Sequence, residues 1–181
     1  MHQRWWPYFW TMEHSIEKII ESKETKDFLR IVREFCAFVE SSEKTDKEFL
    51  RQLQSLLLVL YYHAISLSWT SLDHNEEFAD KLSKEEQKNI LKIISDKIGE
   101  GRFYWDVFDP TNDKDIEPVC GDLVDDLGDI YKDVKKGLLN FDLGTIASKD
   151  QAVWDWKFGF EKHWGQHAID ALRTIHYLLE E

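Results

Sequence analysis

The side chains best suited to chemistry lie near the C-terminus, where His163, His167 and Asp170 follow one another at intervals of four and three residues. In a helix, these intervals place both imidazoles and the carboxylate on one face. Neutral imidazoles four residues apart are a familiar arrangement of metal ligands, and a carboxylate one turn further on supplies a third. The spacing therefore identifies these three side chains as candidate metal ligands.

A column of aspartates precedes them on another helical pattern. Asp122, Asp126, Asp129 and Asp133 recur at intervals of three and four residues. Like charges at this spacing repel one another unless a cation neutralises them. If the column packs against the histidines, Asp122, Asp126 and Asp129 complete a carboxylate-rich site for Mg²⁺, Mn²⁺, iron or Zn²⁺. Such a site activates water for the hydrolysis of a phosphoester or a nucleotide.

Both sets of residues also have a purely structural interpretation. A column of aspartates is typical of a solvated helix face. His163 and His167 are equally able to hydrogen-bond Asp170 or Asp126 where two helices meet. The chain has no GxGxxG or GxxxxGK[ST] phosphate loop, no GxSxG elbow, no HExxH and no CxxC pair. The common nucleotide-binding, hydrolase and zinc designs are therefore disfavoured, and whether the protein is an enzyme stays open.

The elements that must position these residues are helices. Apolar residues at intervals of three and four predict an all-α fold, a single-domain bundle of about six helices. Two helices begin at capping boxes, formed by Thr45 with Glu48 and by Ser83 with Glu86, and Gly99 is suited to end the second. The predicted ranges are 13–22, 27–41, 45–68, 83–98, 118–141 and 148–181.

The last predicted helix is long and central. Ser148 and Gln151 have the spacing of a capping box, and no proline interrupts the chain from there to Glu181. Its apolar face is too wide for a helix at the surface. We therefore expect it to contact neighbours on two sides.

Residues 102–121 lack periodicity and predict the longest irregular connection in the chain. Asp109-Pro110 indicates a turn within it. Its aromatic residues predict a loop anchored to the bundle, since each would forgo roughly 1.5–3 kcal/mol in water. Because long loops often carry function, Tyr104, Trp105, Asp106 and Asp109 are candidates for a binding surface.

The N-terminus is dense in aromatic residues and has no helical period. Residues 1–11 are either an aromatic arm that packs onto the bundle or an upstream extension, with Met12 as the natural start. The domain boundaries are therefore predicted as 1–11 for this segment and 12–181 for the helical bundle. The first residues also lack the long apolar run of a signal peptide.

The charge balance bears on partners. With 23 Lys and Arg against 35 Asp and Glu, the net charge is −12. This disfavours unassisted binding to nucleic acid or to an anionic membrane, and it favours a basic protein partner. No stretch approaches the roughly 18 apolar residues of a membrane span. The two cysteines, Cys36 and Cys120, are interpreted as reduced core thiols in a cytoplasmic protein.

Three segments carry a resemblance to a known family. They are YWDVFDP (104–110), EPVCGDLVDDLGDIYKDVKKGL (117–138) and AVWDWKFGFEKHWGQHAIDALRTIH (152–176). In this order they resemble a family of small bacterial all-helical proteins catalogued only as a domain of unknown function. The resemblance is close in the C-terminal half and looser over residues 25–68, and residues 1–11 lie outside it. It implies a helical fold and a bacterial setting, with no established activity or catalytic residue.

Two classes of function follow from these observations. The first is a protein-binding or regulatory module, an acidic bundle that binds a basic partner as an immunity or inhibitor protein does. The second is a metal-dependent hydrolase that acts on a phosphoester or nucleotide. The charge, the small size, the lack of a recognised catalytic motif and the aromatic segments at residues 1–11 and 102–108 favour the first, which is the leading interpretation. The histidine–aspartate spacing favours the second, which is the alternative.

Overall fold

Helices dominate the part of the chain that the computed structural model describes, which is residues 16–41, 43, 45–72, 74, 76–78, 82–107, 111–112, 114 and 117–180. Residues 16–20 are helical. Six longer helices and two strands follow: α1 (Lys23–Ser41), α2 (Asp46–Ile65), α3 (Lys84–Ile98), β1 (Phe103–Val107), β2 (Pro118–Asp122), α4 (Leu123–Phe141), α5 (Ile146–Lys162) and α6 (Trp164–Glu180). The prediction of an all-α fold is confirmed, with one small sheet added.

Helix ends follow their local sequence signals closely in α3. The Ser83 hydroxyl accepts a hydrogen bond from the Glu86 amide, and the Glu86 carboxylate accepts one from the Ser83 amide. Gly99 follows the helix with a φ of 72°, a conformation that favours glycine. Thr45 is the N-cap of α2, but its side chain makes no capping hydrogen bond, so the predicted capping box with Glu48 is wrong.

Helix α4 is the centre of the bundle. It packs against α1, α3, α5 and α6, and one apolar core joins these helices with α2. Trp156 of α5 is fully buried against Gly137 of α4, where an added Cβ would lie 2.1 Å from the indole nitrogen. That nitrogen donates a hydrogen bond to the Val134 carbonyl at 3.0 Å. None of the described helices is both long enough and apolar enough to cross a membrane.

The predicted long C-terminal helix is in fact two helices, which corrects the sequence interpretation. Helix α5 starts at the N-cap Thr145, whose hydroxyl accepts from the Ser148 amide, so Ser148 lies inside the first turn and does not cap it. The helix ends where His163 adopts φ −148° and ψ −87°. Helix α6 begins at the next residue.

Burial of Trp164 explains why the chain turns at His163. The Trp164 indole is fully buried, and its nitrogen donates to the Trp156 carbonyl at 3.2 Å. A straight helix would carry this large ring away from that position. The turn also requires Gly165, because a Cβ there would lie 2.1 Å from the backbone oxygen of Phe160. Without a proline to mark the turn, the apolar pattern alone gave no sign of it.

The predicted loop at residues 102–121 contains an antiparallel hairpin. Strands β1 and β2 pair from Phe103 with Asp122 to Val107 with Pro118. Pro118 therefore starts a strand, where a missing amide is tolerated at the edge of a sheet. It does not start the helix, as the sequence had indicated, and α4 begins five residues later at Leu123.

Two further sequence interpretations have different outcomes. Cys36 is buried in the core, and this burial raises the pKa of its thiol to about 12. Cys120, by contrast, lies exposed on β2, so its interpretation as a core thiol is wrong. The aromatic segment of residues 1–11 lies outside the described residues.

Replacing Gly165 with alanine tests the turn between α5 and α6. In an ordinary helix this change stabilises by up to about 1 kcal/mol. Here we expect a loss of about 3 kcal/mol, because the new methyl group meets the Phe160 backbone. Urea unfolding of the purified variant measures the difference.

The matched control is Gly144→Ala. Gly144 has a φ of 84° but open space around it, so only backbone strain of about 1 kcal/mol is expected. A Gly165→Ala protein as stable as the wild type would contradict the close approach of the two helices.

Candidate metal centre

Three aspartates of α4 face the start of α6. Asp126, Asp129 and Asp133 lie on successive turns of α4, and α6 packs against this helix. The turn before α6 places His163 beside Asp133, and His167 lies one helical turn further on, beside Asp126. The packing on which the sequence hypothesis depended is therefore present.

Each histidine uses its Nδ1 atom to contact a carboxylate. His163 Nδ1 lies 2.8 Å from Asp133 Oδ2, and His167 Nδ1 lies 2.7 Å from Asp126 Oδ1. An ionised carboxylate only accepts hydrogen bonds, so the proton in both contacts belongs to Nδ1. In the neutral imidazoles, the lone pair is thereby assigned to Nε2.

The two Nε2 atoms converge on the third aspartate. Each lies 3.8 Å from Asp129 Oδ2. One ligand atom from each of Asp129, His163 and His167 lies within 4.8 Å of the others. Bonds of about 2.1 Å to a tetrahedral metal would separate such atoms by about 3.4 Å. The two Nε2–Oδ2 distances exceed this value by a few tenths of an ångström, and no separation in the set exceeds it by more than about 1.4 Å, so rotation of the side chains toward one another would complete that geometry.

This arrangement matches the donor pattern of known metal sites. Two imidazoles and one carboxylate suit Zn²⁺, Fe²⁺ and Mn²⁺. Metal-bound histidines commonly donate their other ring N–H to a carboxylate, which fixes the tautomer and orients the ring. Asp126 and Asp133 hold those positions here. The side chain of His163 is 45% exposed, so solvent reaches the centre.

Asp126 is the most deeply placed of these carboxylates, with 6% of its surface exposed. It accepts from the Tyr104 hydroxyl at 2.5 Å as well as from His167. Its hydrogen bond to the imidazole, which outweighs the burial of the ring, raises the pKa of His167 above its usual value. A proton and a metal ion therefore compete for His167 Nε2.

Asp170 lies further along α6 and faces the hairpin. Its carboxyl is within hydrogen-bonding reach of Asp106 on β1, whose other partner is Arg173 at 2.7 Å. Burial, followed by the hydrogen bond and charge of Asp106, raises the pKa of Asp170 to about 6. Burial acts against ionisation of Asp106 too, but hydrogen bonds from the Val107 amide and Arg173 outweigh it and lower that pKa.

The six predicted ligands thus separate into groups. His163, His167 and Asp129 lie close together, and Asp126 supports this group through its hydrogen bond with His167. Asp170 instead pairs with the hairpin. Asp122 is the N-cap of α4, accepting from the Val124 amide at 3.0 Å, and it forms an ion pair with Arg102.

The candidate binding-surface residues have distinct positions. Trp105 is 72% exposed, while Tyr104 turns inward to Asp126, and Asp106 turns to Arg173. Asp109 lies outside the described residues. The sequence hypothesis missed Asp133 as a supporting residue, although its place in the aspartate column, four residues after Asp129, was a usable signal.

A cavity of about 410 Å³ lies between β1 and α6, next to the candidate metal centre. Tyr104, Arg173 and Thr174 are among the residues that line it. Its aromatic residues Phe103, Trp105 and Tyr177 are each more than 60% exposed, at 64%, 72% and 67%. The sequence analysis identified Tyr104 and Trp105, which β1 supplies to this cavity, but not the residues that α6 supplies.

The chain is an all-α protein with a histidine–aspartate centre, and it belongs to the family described as Domain of unknown function (DUF5063), which matches residues 19–181. This confirms the resemblance carried by the three C-terminal segments. The crystal structure of protein BF1032 from Bacteroides fragilis is similar, with a TM-score of 0.76 and 23% identity, over 87% of this chain and 93% of that chain. At this identity the likeness shows the fold alone. A comparison with curated proteins finds no match.

Replacing Asp170 with asparagine tests the carboxyl pair. The pKa of Asp170 is higher in the folded protein, about 6, than its ordinary 3.8, so folding takes up a proton between these values. Ionised Asp170 therefore destabilises the fold above pH 6, and that cost disappears as the pH falls toward 4. Because the side chain is only half-buried, we expect Asp170→Asn to be more stable at pH 8 by about 1 kcal/mol.

The measurement is urea unfolding of wild type and variant at pH 8 and pH 4.5. The stabilisation should shrink or vanish at the lower pH. Asp96→Asn, at an exposed site on α3, is the control and should show no comparable pH-dependent gain. A gain from Asp170→Asn that is equal at both pH values would contradict the assignment.

Proposed function

We propose that the protein binds a divalent transition-metal ion through Asp129, His163 and His167 and uses it to hydrolyse a phosphoester. The observation that carries this proposal is the convergence of both Nε2 atoms on one oxygen of Asp129, at 3.8 Å each. Metal-assisted hydrolysis needs a centre with protein ligands on one side and room for water on the other. The solvent exposure of His163 supplies that room.

The supporting carboxylates strengthen the proposal. A simple ion pair between two helices needs one contact for each histidine, and Asp133 and Asp126 already provide it. Asp129 adds a third carboxylate, which would only increase repulsion in the column unless a cation offsets it. Lys132 approaches Asp129 at 3.9 Å and offsets part of that charge. A divalent ion offsets it more fully.

The donor atoms narrow the range of metals considered from the sequence. Mg²⁺ prefers an octahedral shell of oxygen ligands and retains its waters. Two imidazole nitrogens favour Zn²⁺, Fe²⁺ or Mn²⁺ instead. We therefore propose a metal of this group.

The reaction that this centre suits is attack of water on phosphorus. A metal held by Asp129, His163 and His167 would lower the pKa of a coordinated water and would withdraw electrons from the phosphoryl oxygens. In the hydrolysis, the water oxygen would bond to phosphorus as the bond to the ester oxygen breaks, and the proton that the water loses would pass to the leaving oxygen. Asp126 and Asp133, which contact the two Nδ1 atoms, would keep the imidazoles oriented.

Metal binding is tested by thermal unfolding of protein purified without a histidine tag and treated with EDTA. At a concentration one hundred times its Kd, a bound ion stabilises by about 2.7 kcal/mol. We expect Zn²⁺, Mn²⁺ or Fe²⁺ to raise the Tm by roughly 5–10 °C and Mg²⁺ to have little effect. His163→Ala and His167→Ala should abolish the rise, and Asp133→Asn should weaken binding by roughly 10–100-fold.

His176→Ala is the matched control, because His176 is exposed on the same helix and has no place in the centre. The same preparations are then assayed with a chromogenic phosphodiester and phosphomonoester. Metal-dependent hydrolysis that His176→Ala retains and His167→Ala loses supports the proposal. A Tm rise that persists in both His163→Ala and His167→Ala would contradict the proposed metal centre. Metal binding without hydrolysis of either ester would contradict the proposed enzymatic function.

As a second candidate we propose that the protein binds a basic protein partner, and an apolar stripe on α2 is the observation that favours it. Leu58, Tyr62 and Ile65 follow one another on one side of α2 and are 56%, 66% and 57% exposed. Trp69, just beyond the helix, lies edge-on to Trp154 of α5 at 6.3 Å and extends the stripe. Exposed apolar patches with polar surroundings often mark interaction sites, and the net charge of −12 favours a basic partner.

A double variant, Tyr62→Ser with Ile65→Ser, tests this candidate. Native purification with quantitative mass spectrometry should recover a stoichiometric basic protein with the wild type, and the complex should dissociate as salt is raised. We expect the double variant to bind it at least about tenfold more weakly. Leu143→Ser, at a site 47% exposed in the turn after α4, should leave binding unchanged. Recovery of the wild type alone, or equal binding by the double variant, would contradict this candidate.

A further inference from the structure

The cavity between β1 and α6 has the features of a small-molecule site. Its volume, about 410 Å³, falls within the roughly 300–1,000 Å³ usual for such sites. We propose that it binds a planar, uncharged heteroaromatic group, of which a nucleobase is the commonest biological example. As a statement about the substrate, this inference rests on the proposed hydrolase function. As a statement about binding, it stands on the cavity alone.

The aromatic residues of the cavity point to a flat, apolar-faced ligand. Phe103, Trp105 and Tyr177 leave large ring surfaces in water, which forgoes the free energy gained by burying them. Trp105, at 72% exposed, is the most accessible of the three. Such rings stack on any base, because every base has a π-face.

The charges beside the cavity favour an uncharged ligand. Arg173 lines it, but its guanidinium is paired with Asp106 at 2.7 Å. Arg102 lies over the Phe103 ring at 5.0 Å and is likewise paired, with Asp122. Each of these two arginines thus has its own carboxylate. The local balance favours neither a strong anion nor a strong cation.

One side chain in the cavity wall carries a hydroxyl without a partner. Thr174 lines the cavity and is 6% exposed, and its hydroxyl oxygen, buried in the present rotamer, has no hydrogen-bond partner within the described part of the chain. A buried hydroxyl without a partner is unfavourable, and rotation about χ1 would bring it to a ligand with polar edge atoms. A heterocyclic ring combines such an edge with two apolar faces.

One side chain links the cavity to the metal centre. Tyr104 lines the cavity, and its hydroxyl donates a hydrogen bond to Asp126, the partner of His167. Along α6, Thr174 follows His167 by seven residues, about 10 Å at 1.5 Å per residue, and two helical turns place both on one face. This face therefore leads from the cavity to the metal centre. The substrate class that fits both places is a nucleotide.

The experiment is isothermal titration calorimetry of EDTA-treated protein with adenosine, guanosine, cytidine and uridine, and with ribose as the sugar control. We expect saturable binding of at least one nucleoside, one per chain, and none of ribose. Trp105→Ala should weaken it roughly tenfold through lost stacking. Thr174→Val, which keeps the side-chain shape, should weaken it about fivefold. Trp69→Ala, which removes a partly exposed tryptophan outside the cavity, should bind like the wild type.

Titration with and without added metal separates this inference from the proposed metal function. EDTA-treated protein should bind the nucleoside as tightly as protein to which Zn²⁺ or Mn²⁺ has been added, because the cavity does not need the metal. Nucleoside binding by a protein that binds no metal would support the cavity and contradict the hydrolase. Absence of binding by all four nucleosides, equal binding of ribose, or binding that Trp105→Ala leaves unchanged would overturn the inference.

Discussion

Helix α6 packs against the acidic side of α4 because the chain turns at His163. The two imidazole–carboxylate contacts formed there constrain the positions of α4, α6 and the hairpin. Asp126 is nearly buried, and a buried carboxylate is costly unless donors surround it. His167 and Tyr104 are those donors. The first comes from α6 and the second from the hairpin, so one carboxylate joins three elements of the fold.

The hairpin extends this network along α6. On strand β1, the Tyr104 hydroxyl donates a hydrogen bond to Asp126, and Asp106 forms an ion pair with Arg173. The Asp106 carboxyl also lies within hydrogen-bonding reach of Asp170. These contacts hold β1 against α4 and α6, and the side chains of Phe103 and Trp105 remain largely exposed to solvent. The same contacts therefore form one wall of the cavity and complete the surroundings of the histidines. A substitution in the hairpin is therefore expected to affect both the cavity and the two histidines.

Several local arrangements here are unfavourable by themselves. Three aspartates share one side of α4, two carboxyl groups approach each other at Asp106 and Asp170, and large aromatic rings stand in water. A sequence selected only for stability would lack them, and departures of this kind tend to gather where a protein functions. The aspartates, the carboxyl pair and the rings of Phe103, Trp105 and Tyr177 occur along one edge of α4 and α6, whereas the buried indole N–H groups of the core are bonded to backbone carbonyls.

The helical class, the start and end of α3, and the residue types of the centre can all be predicted from the amino-acid sequence. These depend on local rules: the period of the apolar residues, the reciprocal bonds of Ser83 and Glu86, and the fixed spacing of His163 and His167 on consecutive turns. The aspartate column was equally visible, because it is written in one continuous stretch of chain.

The places where these helices and strands meet depend on long-range packing. The turn at His163 depends on burial of Trp164 among residues distant in sequence, and the hairpin depends on pairing between segments separated by 10 residues of chain. Asp170 followed the helical spacing of the histidines, yet Asp106, 64 positions earlier, sets its environment. Local periodicity gives the direction of a side chain from its own helix. What that side chain faces is set by long-range packing, which has no signature in neighbouring residues.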